Sequence, residues 1–328
     1  VTSPDTDGAK MPRRLPIAFV GSGEMFENLF PTSVRTELQA LEGVEFFHDS
    51  GAERTARETV LAVTGWGSPR FNAPVLSRYP HLQGIVHATG SIRPIVTDDV
   101  WRRGIEVCNN ANLNAIPVAE YTFAMVVAAA KGILPPSASG RPAPGTYGLT
   151  VGIVGASRIG RATIKLLRAL DALILLYDPY VDGAEAASLG ATRVDLPALM
   201  RQSDVVSLHV PALDSTRHLI GEAELRQMRP GATLINTARG AVVDTDALVR
   251  TLREGSIQAI LDVTDPDPLP CAHPLRHLPN VTVTPHVAGS MGRELWRLGS
   301  GVVENVRDFI QTGHLPHQIT RELLEMQA

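Results

Sequence analysis

Only two cysteines, Cys108 and Cys271, occur in 328 residues. They are too few and too isolated for a disulfide framework or a cysteine-based zinc site, and a reducing compartment suits that scarcity. No apolar run approaches the roughly 18 residues of a membrane-spanning helix. The start, VTSPDTDGAKMPRR, has no apolar signal region and reads as a loose polar tail on a cytoplasmic protein. Neither sign of charge dominates: 30 Lys and Arg face 34 Asp and Glu, for a net charge of -4 and a pI near 6.2. That balance gives no electrostatic ground for a nucleic-acid or membrane partner. Internal repeats are also missing. What is present is ordinary globular material, 44% hydrophobic, in a chain long enough for two domains with a large core.

From Leu15 to about Cys108, short β-branched runs (PIAFV, VEFFH, TVLAVTG, LQGIVHA, IEVCN) alternate with helix-like segments such as TSVRTELQALEG. Alternation of this kind predicts a parallel sheet covered by helices. NAIPVAEYTFAMVVAAAKG is apolar nearly all round and predicts a buried helix at a domain or subunit contact. The strand pattern then restarts with LTVGIV, ALILLYD, TRVD, DVVSLHV, TLINTA, IQAILDV and VTVTP. In the last stretch Leu295, Leu298, Val302, Val306 and Ile310 keep helical spacing. By composition LPPSASGRPAPG, residues 134–145, is either a linker or a surface loop within one domain.

Two glycine loops compete for a dinucleotide. AFVGSGEMF, residues 18–26, has Gly21 and Gly23 but no third glycine, and Pro31 interrupts the helix that should follow. It reads as a strand-to-loop turn in a substrate-binding domain. VGIVGASRIGR, residues 151–161, has a strand before it and a helix after it, with Gly155 and Gly160 in place. Asp178 closes the next strand 18 residues beyond Gly160, suited to the ribose hydroxyls and repulsive to a 2′-phosphate, so NAD is expected over NADP. Ser157 stands where the second glycine belongs. It is small, and its hydroxyl is able to donate to phosphate.

Ligands of open α/β sheets sit at the carboxyl ends of the strands. Those ends carry Asp178, His209, Arg239, Asp262 and His286, a polar crescent. With SLHVPALDSTRHLIGEAELRQMRPGATLINTARGAVVDTDAL, LDVTDPDPLP and VTVTPHVAGS in order, the chain resembles the D-isomer-specific 2-hydroxyacid dehydrogenases, specifically over roughly residues 112–291 and more weakly before. The resemblance implies an α/β fold of two parallel-sheet domains, Rossmann-like and flavodoxin-like, the NAD-binding domain (112–291) inserted in a substrate domain (1–111 plus 292–328). The 134–145 stretch is then a loop, and the buried helix lies near a dimer contact.

By the same resemblance Arg239 holds the substrate carboxylate and polarises its carbonyl, a task for a fixed cationic fork. His286 is the general acid/base, since a histidine exchanges protons near working pH. The family's glutamate five residues after Asp262, which favours the charged imidazole, is here Asp267, one methylene shorter and flanked by Pro266 and Pro268. Asp265 is the alternative partner. Asp262 matches the aspartate that binds the nicotinamide carboxamide. Further cofactor contacts fall on Gly155, Ser157, Arg158, Ile159, Gly160, Asp178, His209, Val210, Pro211, Thr216, Thr237, Ala238 and Gly289. Backbone N–H groups around Gly90 and Ser91 should reach a carboxylate, while His87 and Arg93 either favour a second acidic group on the substrate or, as the preferred reading, point to solvent. No metal is expected. The 131–148 segment is shorter than the family's usual one. The implied activity is NAD-dependent interconversion of a 2-keto acid and a D-2-hydroxy acid by a homodimer. The alternative is an NAD(H)-sensing, corepressor-like binding protein without useful turnover.

Overall fold

The computed structural model describes residues 14–49, 53–134 and 143–326. The polar tail and most of the 134–145 stretch therefore lie outside the described residues. The chain divides into two compact units, Val1–Asn114 with Met291–Gln327, and Ala115–Ser290.

The first unit is built on β1 (Leu15–Phe19), β2 (Val44–His48), β3 (Leu61–Thr64), β4 (Gly84–His87) and β5 (Glu106–Asn109). All pair in parallel in the order β2-β1-β3-β4-β5. Every residue of β3 and β4 is buried, as a strand covered on both faces requires. The long helix Glu294–Thr312 packs Leu298, Val302, Val306 and Phe309 into the core of this unit. Each such side chain stabilises the fold by about 1.5–3 kcal/mol through removal from water. Helix Gly23–Leu29 runs so close to it that a Cβ on Gly299 would stand 2.0 Å from the Leu29 carbonyl oxygen.

The second unit carries β6 (Thr150–Val154), β7 (Leu173–Tyr177), β8 (Thr192–Arg193), β9 (Val205–Leu208), β10 (Thr233–Asn236), β11 (Gln258–Leu261) and β12 (Val281–Val283). They form one parallel sheet ordered β12-β11-β10-β9-β6-β7-β8. The order reverses at β6, between β9 and β7, which places a ligand at the carboxyl end of β6. Every strand predicted from the β-branched runs is present.

The expectation about apolar runs needs correction. Helix Ala111–Ala130 is long and apolar enough, by length and composition alone, to cross a bilayer. Glu120 and Tyr121 break the run when residues are read singly, but the average over the helix stays apolar. Its Val126, Ala129 and Ala130 are packed into the core of the second unit, and the core helix of a globular protein passes the same length-and-composition test.

Candidate active site and dinucleotide loop

At the carboxyl end of β6 the chain turns sharply. Gly155 has φ +100°, a conformation open to glycine, and an added Cβ would stand 2.8 Å from Val210 Cγ1 and 2.9 Å from the His209 carbonyl carbon. A Cβ on Gly160 would stand 2.1 Å from the Gly155 carbonyl oxygen. The first and third glycines are therefore required by packing. The middle position is not: Ser157 has φ -62° and is the N-cap of helix Arg158–Leu167, its Oγ accepting from the Gly160 N–H at 3.3 Å. The N–H groups of Ser157, Arg158 and Ile159 find no acceptor among the described residues, which is the arrangement that receives a phosphate at a helix start.

Asp178 sits beside this loop and shapes it. Its Oδ2 accepts from the Ala156 N–H at 2.7 Å and its Oδ1 from the Tyr180 N–H at 2.8 Å. Each oxygen keeps a lone pair for a ribose hydroxyl. The competing loop around Gly21 belongs to the other unit. There Ser22 caps helix Gly23–Leu29, which ends ahead of Pro31, and a Cβ on Gly21 would stand 2.8 Å from the Phe19 ring. That glycine makes room for a neighbouring aromatic side chain.

His209 supplies the loop with backbone more than with its ring. The imidazole is buried, its Nε2 3.0 Å from Ser207 Oγ, its Nδ1 without a partner among the described residues, and burial pushes its pKa down to about 3. Val210 packs under Gly155. Thr216 accepts from the Leu213 N–H and donates to the Pro211 carbonyl, so it holds the 211–216 turn in shape. Thr237 is buried with its hydroxyl 3.0 Å from that of Thr122, and Ala238 is buried too. Gly289 lies partly buried after the His286 turn.

The crescent expected at the strand ends converges beyond β10, β11 and β12. His286 Nδ1 and Asp267 Oδ2 are 2.8 Å apart. The shorter aspartate thus reaches the histidine, and Asp265 does not take its place. Arg239 follows β10 in a turn pinned by Asn236, whose amide donates to the Arg239 carbonyl at 2.9 Å and accepts from the Ala238 N–H at 3.0 Å. The next residue, Gly240, lies against the backbone after β11: a Cβ there would stand 2.0 Å from the Thr264 carbonyl. That approach brings the Arg239 turn against the segment leading to Asp267. The Arg239 side chain remains open to solvent, although protein packed around it lowers its pKa by desolvation. Among the described residues no carboxylate pairs with it; its only hydrogen bond runs from Nη1 to the Ala238 carbonyl.

Asp262 is 2% exposed, and its carboxylate is occupied by the His286 segment: Oδ1 accepts from Thr284 Oγ1 and the Val287 N–H, Oδ2 from the Ala288 N–H. Asn236, Gly240 and Thr284 were missed in the sequence. Asn236 ends a strand ahead of a turn and Gly240 follows the arginine directly, so both were open to a turn-based reading.

In the first unit the sequence reading of His87 fails. The side chain is buried, not solvated, with Nδ1 2.8 Å from Thr64 Oγ1 and Nε2 2.6 Å from Thr89 Oγ1, and burial lowers its pKa to about 4. The general exposure of polar side chains does not hold where both ring nitrogens find partners inside, as they do here. Arg93 is exposed and bonds the Leu324 carbonyl. The loop between them is held by Asn109 Nδ2 on the Gly90 carbonyl at 2.7 Å, and the N–H groups of Gly90 and Ser91 have no acceptor among the described residues.

A glycine-tight strand-to-helix loop with an acidic residue at the next strand end is the pattern of a dinucleotide-binding sheet, and the same sheet edge carries a His–carboxylate pair and an arginine with no carboxylate partner among the described residues. Comparison with known proteins gives the family. Residues 130–288 match the model of the D-isomer specific 2-hydroxyacid dehydrogenase NAD binding domain. A glyoxylate reductase of Aeropyrum pernix is 34% identical over 274 residues, 78% of this chain and 82% of its own. A D-3-phosphoglycerate dehydrogenase of Archaeoglobus fulgidus is 32% identical over 249 residues, 72% of this chain and 47% of its own. The D-lactate dehydrogenase of Aquifex aeolicus, solved with NAD and lactic acid, superposes with a TM-score of 0.67 at 25% identity, over 93% of this chain and all of that one. The chain belongs to the D-isomer-specific 2-hydroxyacid dehydrogenase family, whose chemistry is NAD-dependent hydride transfer between 2-hydroxy and 2-keto acids. The sensing alternative finds no support in these relatives.

Proposed function

We propose that Arg239, Asp267 and His286 carry this reaction, and that the 155–160 loop with Asp178 binds the cofactor. The observation that carries the reading is the 2.8 Å His286–Asp267 contact on the sheet edge that also carries Arg239, which has no carboxylate partner among the described residues. With Nδ1 committed to Asp267, Nε2 is the nitrogen that gives a proton to the 2-keto oxygen, or takes one from the 2-hydroxyl in reverse. Asp267 stabilises the charged imidazole and fixes its orientation. Arg239 receives the substrate carboxylate through its guanidinium fork and draws electron density from the adjacent carbonyl. NAD, when bound, accepts or supplies the hydride.

Cofactor recognition is assigned to the free N–H groups of the helix start, to Ser157 and Arg158, and to Asp178 for the ribose. Ile159, His209, Val210, Pro211, Thr216, Thr237, Ala238 and Gly289 complete that surface, most of them by shaping it. Asp262 is retained for the carboxamide because each of its oxygens has acceptor capacity beyond the bonds it makes. In the first unit the free N–H groups of Gly90 and Ser91 suit a carboxylate. We also read the protein as a cytoplasmic homodimer with no nucleic-acid or membrane partner. The exposed Ile116 and Ile133, on and just after helix Ala111–Ala130, offer apolar surface for a second copy; light scattering on a size-exclusion column tests it.

The catalytic test uses purified protein, NADH, and glyoxylate, pyruvate, hydroxypyruvate and longer 2-keto acids. Turnover should be found with at least one of them and should fall by roughly 100-fold or more in His286→Ala. If no acid oxidises NADH, and the variant differs in nothing, the assignment fails.

A further inference from the structure

His286 has φ +57°, a left-handed backbone that a side chain other than glycine rarely adopts. Something must hold it there. The buried Asp262 carboxylate does so from both sides of the residue, taking Thr284 Oγ1 at 2.6 Å two positions before it, and the N–H groups of Val287 and Ala288 at 2.9 Å just after it.

The bracing does not stop at Asp262. Thr284 Oγ1 lies 2.8 Å from the hydroxyl of Tyr121, which belongs to helix Ala111–Ala130 and is 163 residues away in sequence. The direction of this bond follows from proton supply. A threonine hydroxyl has one proton, and Thr284 gives it to a carboxylate that has none to offer. Tyr121 is therefore the donor to Thr284. Burial raises the pKa of Tyr121, so the phenol keeps the proton that this role needs. The result is a one-way chain, Tyr121 to Thr284 to Asp262, that ends on the backbone around His286. Every member lies within Ala115–Ser290.

We propose that Tyr121 is a positioning residue for His286, acting through Thr284 and Asp262 to hold the histidine backbone in its left-handed turn. The proposal rests on the assignment of His286 as the acid/base. Tyr121 touches neither the imidazole nor Asp267 in this chain of bonds, so its effect on catalysis should run through the backbone of His286, while any effect on the cofactor would run through Asp262.

The test uses the full-length protein and the variants Tyr121→Phe, Thr284→Val, Thr284→Ser and the double variant Tyr121→Phe/Thr284→Val. Removing one link of a hydrogen-bond chain should lower kcat about 5- to 10-fold in Tyr121→Phe. KM for NADH should change less than kcat does. The double variant should be no slower than Thr284→Val alone, because both act along one path. Thr284→Ser, which keeps the hydroxyl, should restore most of kcat. A second readout needs no turnover: the imidazole ¹H–¹⁵N signals of His286, assigned with His286→Gln, should move in Tyr121→Phe and Thr284→Val at fixed pH and stay in place in Thr284→Ser. Unchanged kcat together with unmoved His286 signals overturns the proposal, as does a double variant whose losses multiply. Moved signals in a protein that turns over no 2-keto acid would uphold the bracing while sinking the role of His286 in catalysis.

Discussion

Replacing Ser157 separates two roles that one hydroxyl is able to play. Its oxygen accepts from the Gly160 N–H at 3.3 Å, which leaves its proton free to donate. As a cap, the side chain should stabilise the nucleotide-binding unit by about 1 kcal/mol relative to alanine and by only a few tenths relative to glycine. In a unit of this size 1 kcal/mol moves Tm by about 2–4 °C. As a ligand, a hydrogen bond to a charged phosphate oxygen is worth about 1.5–3 kcal/mol, or roughly 10- to 150-fold in Kd. Ser157→Ala should therefore lower Tm by a few degrees and weaken NADH. Ser157→Gly should weaken NADH about as much while hardly moving Tm. Differential scanning fluorimetry without cofactor and titration of NADH fluorescence measure the two quantities independently. The backbone at φ -62° gives glycine no conformational advantage, so a Ser157→Gly protein that binds NADH as tightly as the parent, or more tightly, would refute the ligand role and leave only the cap.

Three further outcomes are expected. Gly240→Ala places a methyl 2.0 Å from the Thr264 carbonyl, which forces the Arg239 turn off the 264–267 segment; kcat/KM for the keto acid should fall at least about 10-fold with KM for NADH little changed, measured by steady-state kinetics. Asp267→Asn keeps the shape of the partner but removes its charge, and kcat for keto-acid reduction should drop roughly 10- to 100-fold with KM for NADH little changed, as steady-state kinetics would reveal. His87 has a folded-state pKa of about 4 against 6.5 when unfolded. The unfolded chain binds the extra proton between these values, so the stability His87 contributes is intact above pH 6.5 and is lost as pH falls toward 4, by about 3 kcal/mol in total. Urea unfolding at pH 7.5 and 5.0 should show a smaller pH difference in His87→Gln than in the parent. An equal difference would remove His87 as its source.

What could be read from the sequence divides along a physical line. Most of the strands were legible because a strand buried on both faces, as β3, β4, β9, β10 and β11 are, leaves a run of β-branched and aliphatic residues that no distant contact is needed to interpret. Arg239, Asp262 and His286 were legible for a related reason: in a parallel sheet each strand end faces the same way, so residues far apart in sequence share an edge by topology alone. His87 sits at such an end too, and was misread because hydrogen bonding to Thr64 and Thr89, from two neighbouring stretches, is what makes its burial affordable. Gly240 and Tyr121 depend on partners 24 and 163 residues away that carry no local signature at all.

The same division settles how the missing glycine should be viewed. A glycine motif records two different constraints, close approach and backbone conformation, and the structure assigns them unequally. Gly155 meets both, with φ +100° and a neighbour at 2.8 Å; Gly160 meets the first, at 2.1 Å; the middle residue meets neither and only has to begin a helix. Serine is among the best residues for that task. The departure at Ser157 is thus a substitution at the one glycine position of the motif where a side chain has both room and work, and whether its hydroxyl also donates to a bound phosphate is what the Ser157→Gly titration decides.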